Sequence, residues 1–206
     1  GSPDVDADAE VIDFVSSFLS KLNIDFVILI NHRSILEEYL SKYLGITDNS
    51  VISEMMRAID KLSKKSSEQI INEYAGKLDS IKLQEFIKFV SVTDRPDKIL
   101  DNDKLMEFKS SGNLRELIDS LKSRRVKNMM VDFRIVRGLD YYSGLVFEAK
   151  ELSSQVGSLV GGGRYDKLTE AFGRKDLFAT GAAGGVERIL SAIKDKSTKI
   201  LKKPLI

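Results

Sequence analysis

The hydrophobic period of this chain changes once, near Val126, and the change divides what the chain can fold into. Before it, apolar residues recur at helical spacing. After it, Met129, Val131, Phe133 and Ile135 alternate with Met130, Asp132, Arg134 and Val136. The first spacing puts apolar side chains on one face of a helix, the second on one face of a strand. Ten of the fourteen glycines then fall between Gly138 and Gly185. Glycine at that density in strands predicts backbone approached closely by a ligand or by neighbouring elements. The pattern predicts an α+β fold, with an antiparallel meander after Val126 and helices before it.

In chain order, Gly1 to Ala7 is a polar lead-in containing Pro3. Val11, Phe14, Val15, Phe18, Leu19 and Leu22 predict a helix from Ala7 to Leu22, stopped by Asn23. Asp25 to Ile30 is an almost continuous apolar run, the mark of a buried strand. Asn31-His32-Arg33 follows it, either lining a site or capping the next helix with Ser34 as N-cap; capping and packing weigh more. Ile35 to Leu44 reads as a helix closed by Gly45. From Gly45 to Arg125 four helices fit, Ser50–Ser63, Ser67–Ala75, Ser80–Val92 and Asn113–Lys122, each headed by serine or asparagine. That segment has 15 basic and 14 acidic residues, a solvated mixed surface. Lys61, Lys64, Lys65, Arg124 and Arg125 are its candidates for contact with RNA. Later, Asp166 to Phe172 reads as a helix, Thr180 to Gly185 as a small-residue strand, and Glu187 to Lys194 as a helix.

Composition excludes several chemistries. There is no cysteine, hence no disulfide, thiolate nucleophile or cysteine-held metal. His32 is the single histidine, so a multi-histidine metal site is excluded as well. A net charge of +1 supplies no global pull toward nucleic acid or membrane. No apolar run reaches membrane-spanning length, and the expected compartment is the cytoplasm.

Within the alternating region, residues 137–148 read Arg-Gly-Leu-Asp-Tyr-Tyr-Ser-Gly-Leu-Val-Phe-Glu. As a strand, this places Asp140, Tyr142, Gly144 and Val146 on one face, with the glycine leaving room for a ligand. Arg137, before Gly138, can be aimed into the same space by a bulge or turn. Gly161-Gly162-Gly163-Arg164-Tyr165-Asp166 is not a Walker loop, and is either a turn or bulge or flat floor under a base. Gly181-Ala182-Ala183-Gly184-Gly185 either packs tightly on a helix or borders a pocket. Arg188, in the first turn of the last helix, can face polyphosphate or pair with Glu187 or Asp195.

The 137–148 string resembles the histidine-specific signature of histidyl-tRNA synthetases, and the Gly181–Arg188 block resembles the third class II synthetase motif. The resemblance implies the antiparallel sheet of a class II catalytic domain. It implies catalytic-domain segments at residues 1–44 and 126–195 and a helical insertion at 45–125 that holds the tRNA acceptor stem. Residues 196–206 are then a linker toward an anticodon-binding domain. It implies a ligase that activates histidine with ATP, Mg²⁺ riding on the phosphates, and passes it to tRNA(His); full-length members are homodimers. Arg137 is the implied catalytic cation, shared by histidine and ATP; Tyr141 and Tyr142 read the histidine; Arg188 and Gly185 meet ATP. Asp140, Gly162, Gly163, Tyr165 and Gly181 line the pocket, with no protein-held metal. The first and second class II motifs are missing, so the sequence reads as the latter half of a catalytic domain, with little activity expected of the piece alone. Two alternatives are a synthetase-like regulatory subunit of ATP phosphoribosyltransferase, against which the intact signature counts, and a non-catalytic RNA-binding module.

Overall fold

The computed structural model describes residues 1–102, 105, 107–136, 142–153 and 156–201, with 194–201 described by backbone alone. Helix α1 (Val5–Lys21) buries Ala9, Ile12, Val15 and Leu19, whereas Phe14 and Phe18 of the expected apolar face are exposed, a correction to the stripe read from the spacing. It ends where Asn23 adopts a left-handed backbone, φ 54°. Strand β1 (Phe26–His32) runs directly into α2 (Arg33–Lys42). A helical stretch follows: α3 (Asn49–Asp60) with a 3₁₀ turn at Lys61–Ser63, α4 (Ser67–Glu73) and α5 (Ser80–Val90). Next come the short strand β2 (Thr93–Asp94), α6 (Pro96–Leu100) and α7 (Lys109–Ser123). The remainder is β3 (Met129–Asp132), β4 (Leu145–Glu151), β5 (Ser158–Arg164), α8 (Asp166–Ala171), β6 (Thr180–Gly184) and α9 (Val186–Leu201).

The fold is α+β, with six strands in the order β2-β3-β1-β4-β5-β6. The expected antiparallel meander is corrected in one place. β1 lies between β3 and β4, and it pairs with β3 in parallel while the other four neighbours pair antiparallel. The cause is the long helical crossover between β1 and β3, the kind of connection a parallel pair requires. β3 also ends earlier than the alternation suggests. The Asp132 carboxylate accepts hydrogen bonds from the Arg134 backbone N–H (3.0 Å) and from Arg134 Nε (2.9 Å) and Nη2 (2.7 Å), turning the chain at Phe133.

One face of the sheet is the core. Ile28, Ile30, Phe147 and Ala149 on that face are fully buried, and α1 and α7 pack across it. The same continuous cluster takes in Met55, Ile59, Ile70, Leu83 and Phe86 from α3, α4 and α5. Stacked rings join Tyr43 to Tyr39, Tyr39 to Phe89 and Phe89 to Phe133, tying the helical stretch to the chain after β3. Several caps differ from expectation. Asp48, Ser66 and Asp79 cap α3, α4 and α5, with a full Ser66–Gln69 capping box on α4, and α2 begins at Arg33 without Ser34 as its cap. Among the described residues no helix is long and apolar enough to cross a membrane.

Candidate active site

The second face of the sheet carries the polar and glycine-rich rows. Cross-strand partners share a face. One row therefore reads Leu29, Glu148, Gly161, Ala183, and the next Asn31, Val146, Gly163, Gly181. Small residues on β5 and β6 leave this face without side-chain cover, and aromatic rings occupy the space. An added Cβ on Gly163 would lie 3.0 Å from Tyr142 Cδ1 and 2.3 Å from the Leu145 carbonyl oxygen. An added Cβ on Gly181 would lie 2.8 Å from Tyr165 Oη. Two tyrosines thus sit over a floor of two glycines. Tyr142 is buried in a small cluster with Ile135 and Val146, and Leu29 and Tyr165 pack against it.

The floor continues into a cleft of about 670 Å³ lined by Glu148, Lys150, Gly161, Ala183, Gly185 and Arg188, with Asp60, Ser63 and Lys64 on its opposite wall. A second hollow of about 310 Å³ shares Asp60, Ser63, Glu148 and Lys150 with it and reaches Arg134 and Val136. Arg188 is exposed here, and its Nη1 donates to the Ser158 carbonyl at 2.9 Å. Gly185 allows that arginine to lie close, since an added Cβ would stand 3.4 Å from Arg188 Cδ.

The far end of β5 is held from behind. Arg164 Nε donates to Asp8 Oδ2 at 2.9 Å, and its Nη1 and Nη2 donate to the carbonyls of Ser2 (3.1 Å) and Asp4 (3.0 Å). Burial raises the Asp8 pKa, while the Thr180 hydroxyl and then Arg164 pull it back. Asp166 accepts from the Ala179 N–H at 2.8 Å, and its own N–H donates to Ser143 Oγ at 3.1 Å. These bonds fix Tyr165 between two anchored neighbours.

Tyr142, Gly163, Tyr165 and Gly181 are brought together, and Gly185 and Arg188 stand in the adjoining cleft. Gly162 points the other way: an added Cβ would meet Phe147 Cε1 at 2.8 Å, on the core face. Arg137, Asp140 and Tyr141 lie outside the described residues. The expected alternation through Tyr142 and Gly144 does not hold. β4 begins at Leu145, and Gly144 faces His32, whose Nε2 would be 3.5 Å from an added Cβ. Ser143 N–H donates to the Arg164 carbonyl and Arg33 N–H to the Gly144 carbonyl, each at 2.9 Å, and these bonds break the strand parity there. Glu148 and Lys150 were not singled out from the sequence, although alternation onward from Val146 places both on the cleft face. The Asp8–Arg164 pair joins residues 156 apart and has no local signal.

Of the basic residues offered for RNA, Lys61 and Lys65 each reach Glu73 at 2.6 Å, and Arg124 lies 4.0 Å from Asp13. Hydrogen bonds from both lysines hold the Glu73 carboxyl down at about 2, and Glu73 pushes Lys61 up to about 12. Lys64 instead lines the cleft.

Comparison with known proteins supplies the family. The sequence profile described as "Histidyl-tRNA synthetase" matches residues 1–189. The histidine–tRNA ligase of Pyrococcus horikoshii is 40% identical over 209 residues, covering 95% of this chain and 47% of that protein. The crystal structure of histidyl-tRNA synthetase from Nostoc sp. PCC 7120 superposes with a TM-score of 0.83 at 25% identity, over 95% of this chain and 48% of that one. A Bacillus halodurans structure titled as an ATP phosphoribosyltransferase regulatory subunit/histidyl-tRNA synthetase superposes with a TM-score of 0.77 at 21% identity, over 94% of this chain and 51% of that one, and shares the fold. The chain spans about half the length of the relatives it matches. With the profile running across the glycine floor, the tyrosine pair and the Arg188 cleft, the chain belongs to the histidyl-tRNA synthetase family.

Proposed function

We propose that the whole protein carrying this chain is a cytoplasmic histidine–tRNA ligase, and that the open face of the sheet forms part of its histidine and ATP pocket. The observation that carries this is the pair Tyr142 and Tyr165 over Gly163 and Gly181, beside a cleft bearing Arg188. A phenol can hydrogen-bond an imidazole nitrogen, and the buried Tyr142 is assigned to the histidine ring. Tyr141 is assigned to the substrate's backbone groups or the wall, and Asp140 to the lining. Arg188 presents a planar fork suited to phosphate oxygens, and it is assigned to the outer phosphates of ATP. Gly161 and Gly185 let a flat base and a phosphate tail approach the backbone.

Activation is an in-line attack of the histidine carboxylate on the α-phosphate. Two anions must approach, and negative charge grows on the phosphate oxygens. A fixed cation near both reactants lowers the barrier by positioning and by electrostatic stabilisation, and that role falls to Arg137. Mg²⁺ screens the phosphate charge when it is bound with ATP. The ion is assigned to the phosphates and to no protein ligand. Residues 45–125 are assigned as the helical insertion facing tRNA(His), residues 1–44 and 126–195 as catalytic domain, and 196–206 as linker. The homodimer of full-length members is part of the same reading.

Histidine-dependent ATP–pyrophosphate exchange in the whole protein tests it. Arg188→Ala should slow exchange roughly 10²–10³-fold and raise the KM for ATP, while the unfolding midpoint stays put because Arg188 is exposed. Exchange that proceeds equally well without histidine, or an Arg188→Ala enzyme of wild-type rate, would refute the reading.

A further inference from the structure

Asn31 is fully buried at the end of β1, and its side-chain hydrogen bonds go to Phe133, Ile135 and His32, none of them a residue expected to meet a ligand. Its Nδ2 donates to the carbonyls of Ile135 (2.9 Å) and Phe133 (3.3 Å), and its Oδ1 accepts the His32 backbone N–H at 2.7 Å. The amide has one workable orientation here, because two carbonyls can only accept and one N–H can only donate. A buried side-chain amide with its donors and acceptor engaged is a fixed object in the fold.

What it fixes is the turn after β3. Phe133 and Ile135 lie beyond the end of β3, so among the described residues no strand of the sheet pairs with them. The Ile135 side chain forms the buried cluster with Tyr142 and Val146, and Val146 is the cross-strand partner of Asn31 itself. Two residues later in the triplet, Arg33 N–H holds the Gly144 carbonyl at 2.9 Å, two positions beyond Tyr142. The Asn31-His32-Arg33 triplet therefore grips the chain on both sides of the residue 137–141 stretch. The grip comes through Ile135 on the incoming side and Gly144 on the outgoing side.

We infer that Asn31 is a positioning residue for the histidine pocket, setting the Tyr142 wall through the Ile135 carbonyl. The inference rests on the functional reading above, and it adds a residue that touches neither reactant. Asn31→Leu keeps the branching and the number of heavy atoms and removes the side-chain partner of two buried carbonyls and one N–H. Ile135 then shifts, and Tyr142 loses the neighbour that seats its ring over Gly163. A displacement of about 1 Å in a binding group is enough to cost roughly 10²-fold in rate.

Two readouts separate positioning from mere stability. Hydrogen–deuterium exchange on the folded chain should show residues 142–146 exchanging at least tenfold faster in Asn31→Leu, with α1 and α5 at wild-type rates. In the whole protein, the KM for histidine in pyrophosphate exchange should rise at least tenfold while the KM for ATP stays within twofold. Should the leucine variant not fold, Asn31→Ser removes the same donors from a smaller side chain and is read in its place. Asn31→Asp keeps the acceptor for His32 and loses both donors, so it should resemble Asn31→Leu in both readouts. Unchanged protection at 142–146, or an unchanged KM for histidine, in the folded variants overturns the proposal. If the wild type shows no histidine-dependent exchange, the functional reading has failed, and the hydrogen-exchange arm alone decides whether Asn31 seats the tyrosine.

Discussion

The two faces of the sheet are built from the same strands and hold different kinds of residue. Along β4, Leu145, Phe147 and Ala149 enter a close-packed core, while Val146, Glu148 and Lys150 look onto tyrosines and an open cleft. Along β5 the alternation runs through consecutive glycines. Gly162 is pressed against Phe147, and Gly163 lies beneath Tyr142. The first face stabilises by burying side chains. The second positions backbone and rings at the cost of apolar cover. A residue's distance from the site along the strand therefore matters less than its parity.

The largest effect should come from the core face. Phe147→Ala removes a fully buried ring and should lower unfolding stability by about 3–5 kcal/mol, read from urea denaturation. If the faces are separable, the fraction still folded binds histidine as the wild type does. Affinity that falls with stability would show the faces to be one unit.

A comparable effect should follow acidification, through His32. Burial lowers its pKa from 6.5 to about 4. The folded form therefore resists a proton that the unfolded chain accepts. Stability is fully present above pH 6.5 and declines as pH falls toward 4, by on the order of 3 kcal/mol. His32→Gln should flatten that part of the stability–pH curve. A wild-type curve with no slope between pH 6.5 and 4 would contradict the buried, neutral assignment.

Gly181→Ala should be nearly silent in stability, within about 1 kcal/mol, because the new methyl meets the far end of the Tyr165 side chain and not backbone. It should still push Tyr165 off the floor and weaken histidine binding. Loss of stability without loss of binding would reverse the division between the faces.

Much of this arrangement is legible in the sequence, and the gaps have identifiable causes. α1, β1 and β6 follow from period and small residues alone, and Asn23 and Gly45 follow their helices with positive φ as expected. Helices α4 and α5 start where expected, at Ser67 and Ser80, and α3 one residue early at Asn49; it is the caps that differ, because Asp48, Ser66 and Asp79, immediately upstream, supply the capping oxygen. Strand parity failed at Gly144 because the bonds that hold it come from Arg33 and Arg164, distant in sequence. The parallel pairing of β1 with β3 spans the long, mostly helical stretch between His32 and Met129, over which no local pattern records which strands will meet. The tyrosine–glycine floor was half visible. Gly163, Gly181, Tyr142 and Tyr165 were each marked, but their pairing depends on the register of β4, β5 and β6.

The central claim is that the open face reads histidine through Tyr142, and a single calorimetric comparison tests it most directly. Histidine is titrated into the whole protein and into its Tyr142→Phe variant, alongside an analogue in which a phenyl ring replaces the imidazole. Losing one hydrogen bond to a bound polar group should weaken histidine roughly tenfold, by about 1–2 kcal/mol, and leave the analogue unchanged. Equal affinities for histidine in the two proteins would mean that Tyr142 does not read the imidazole, and equal losses for both ligands would mean that Tyr142 is only wall.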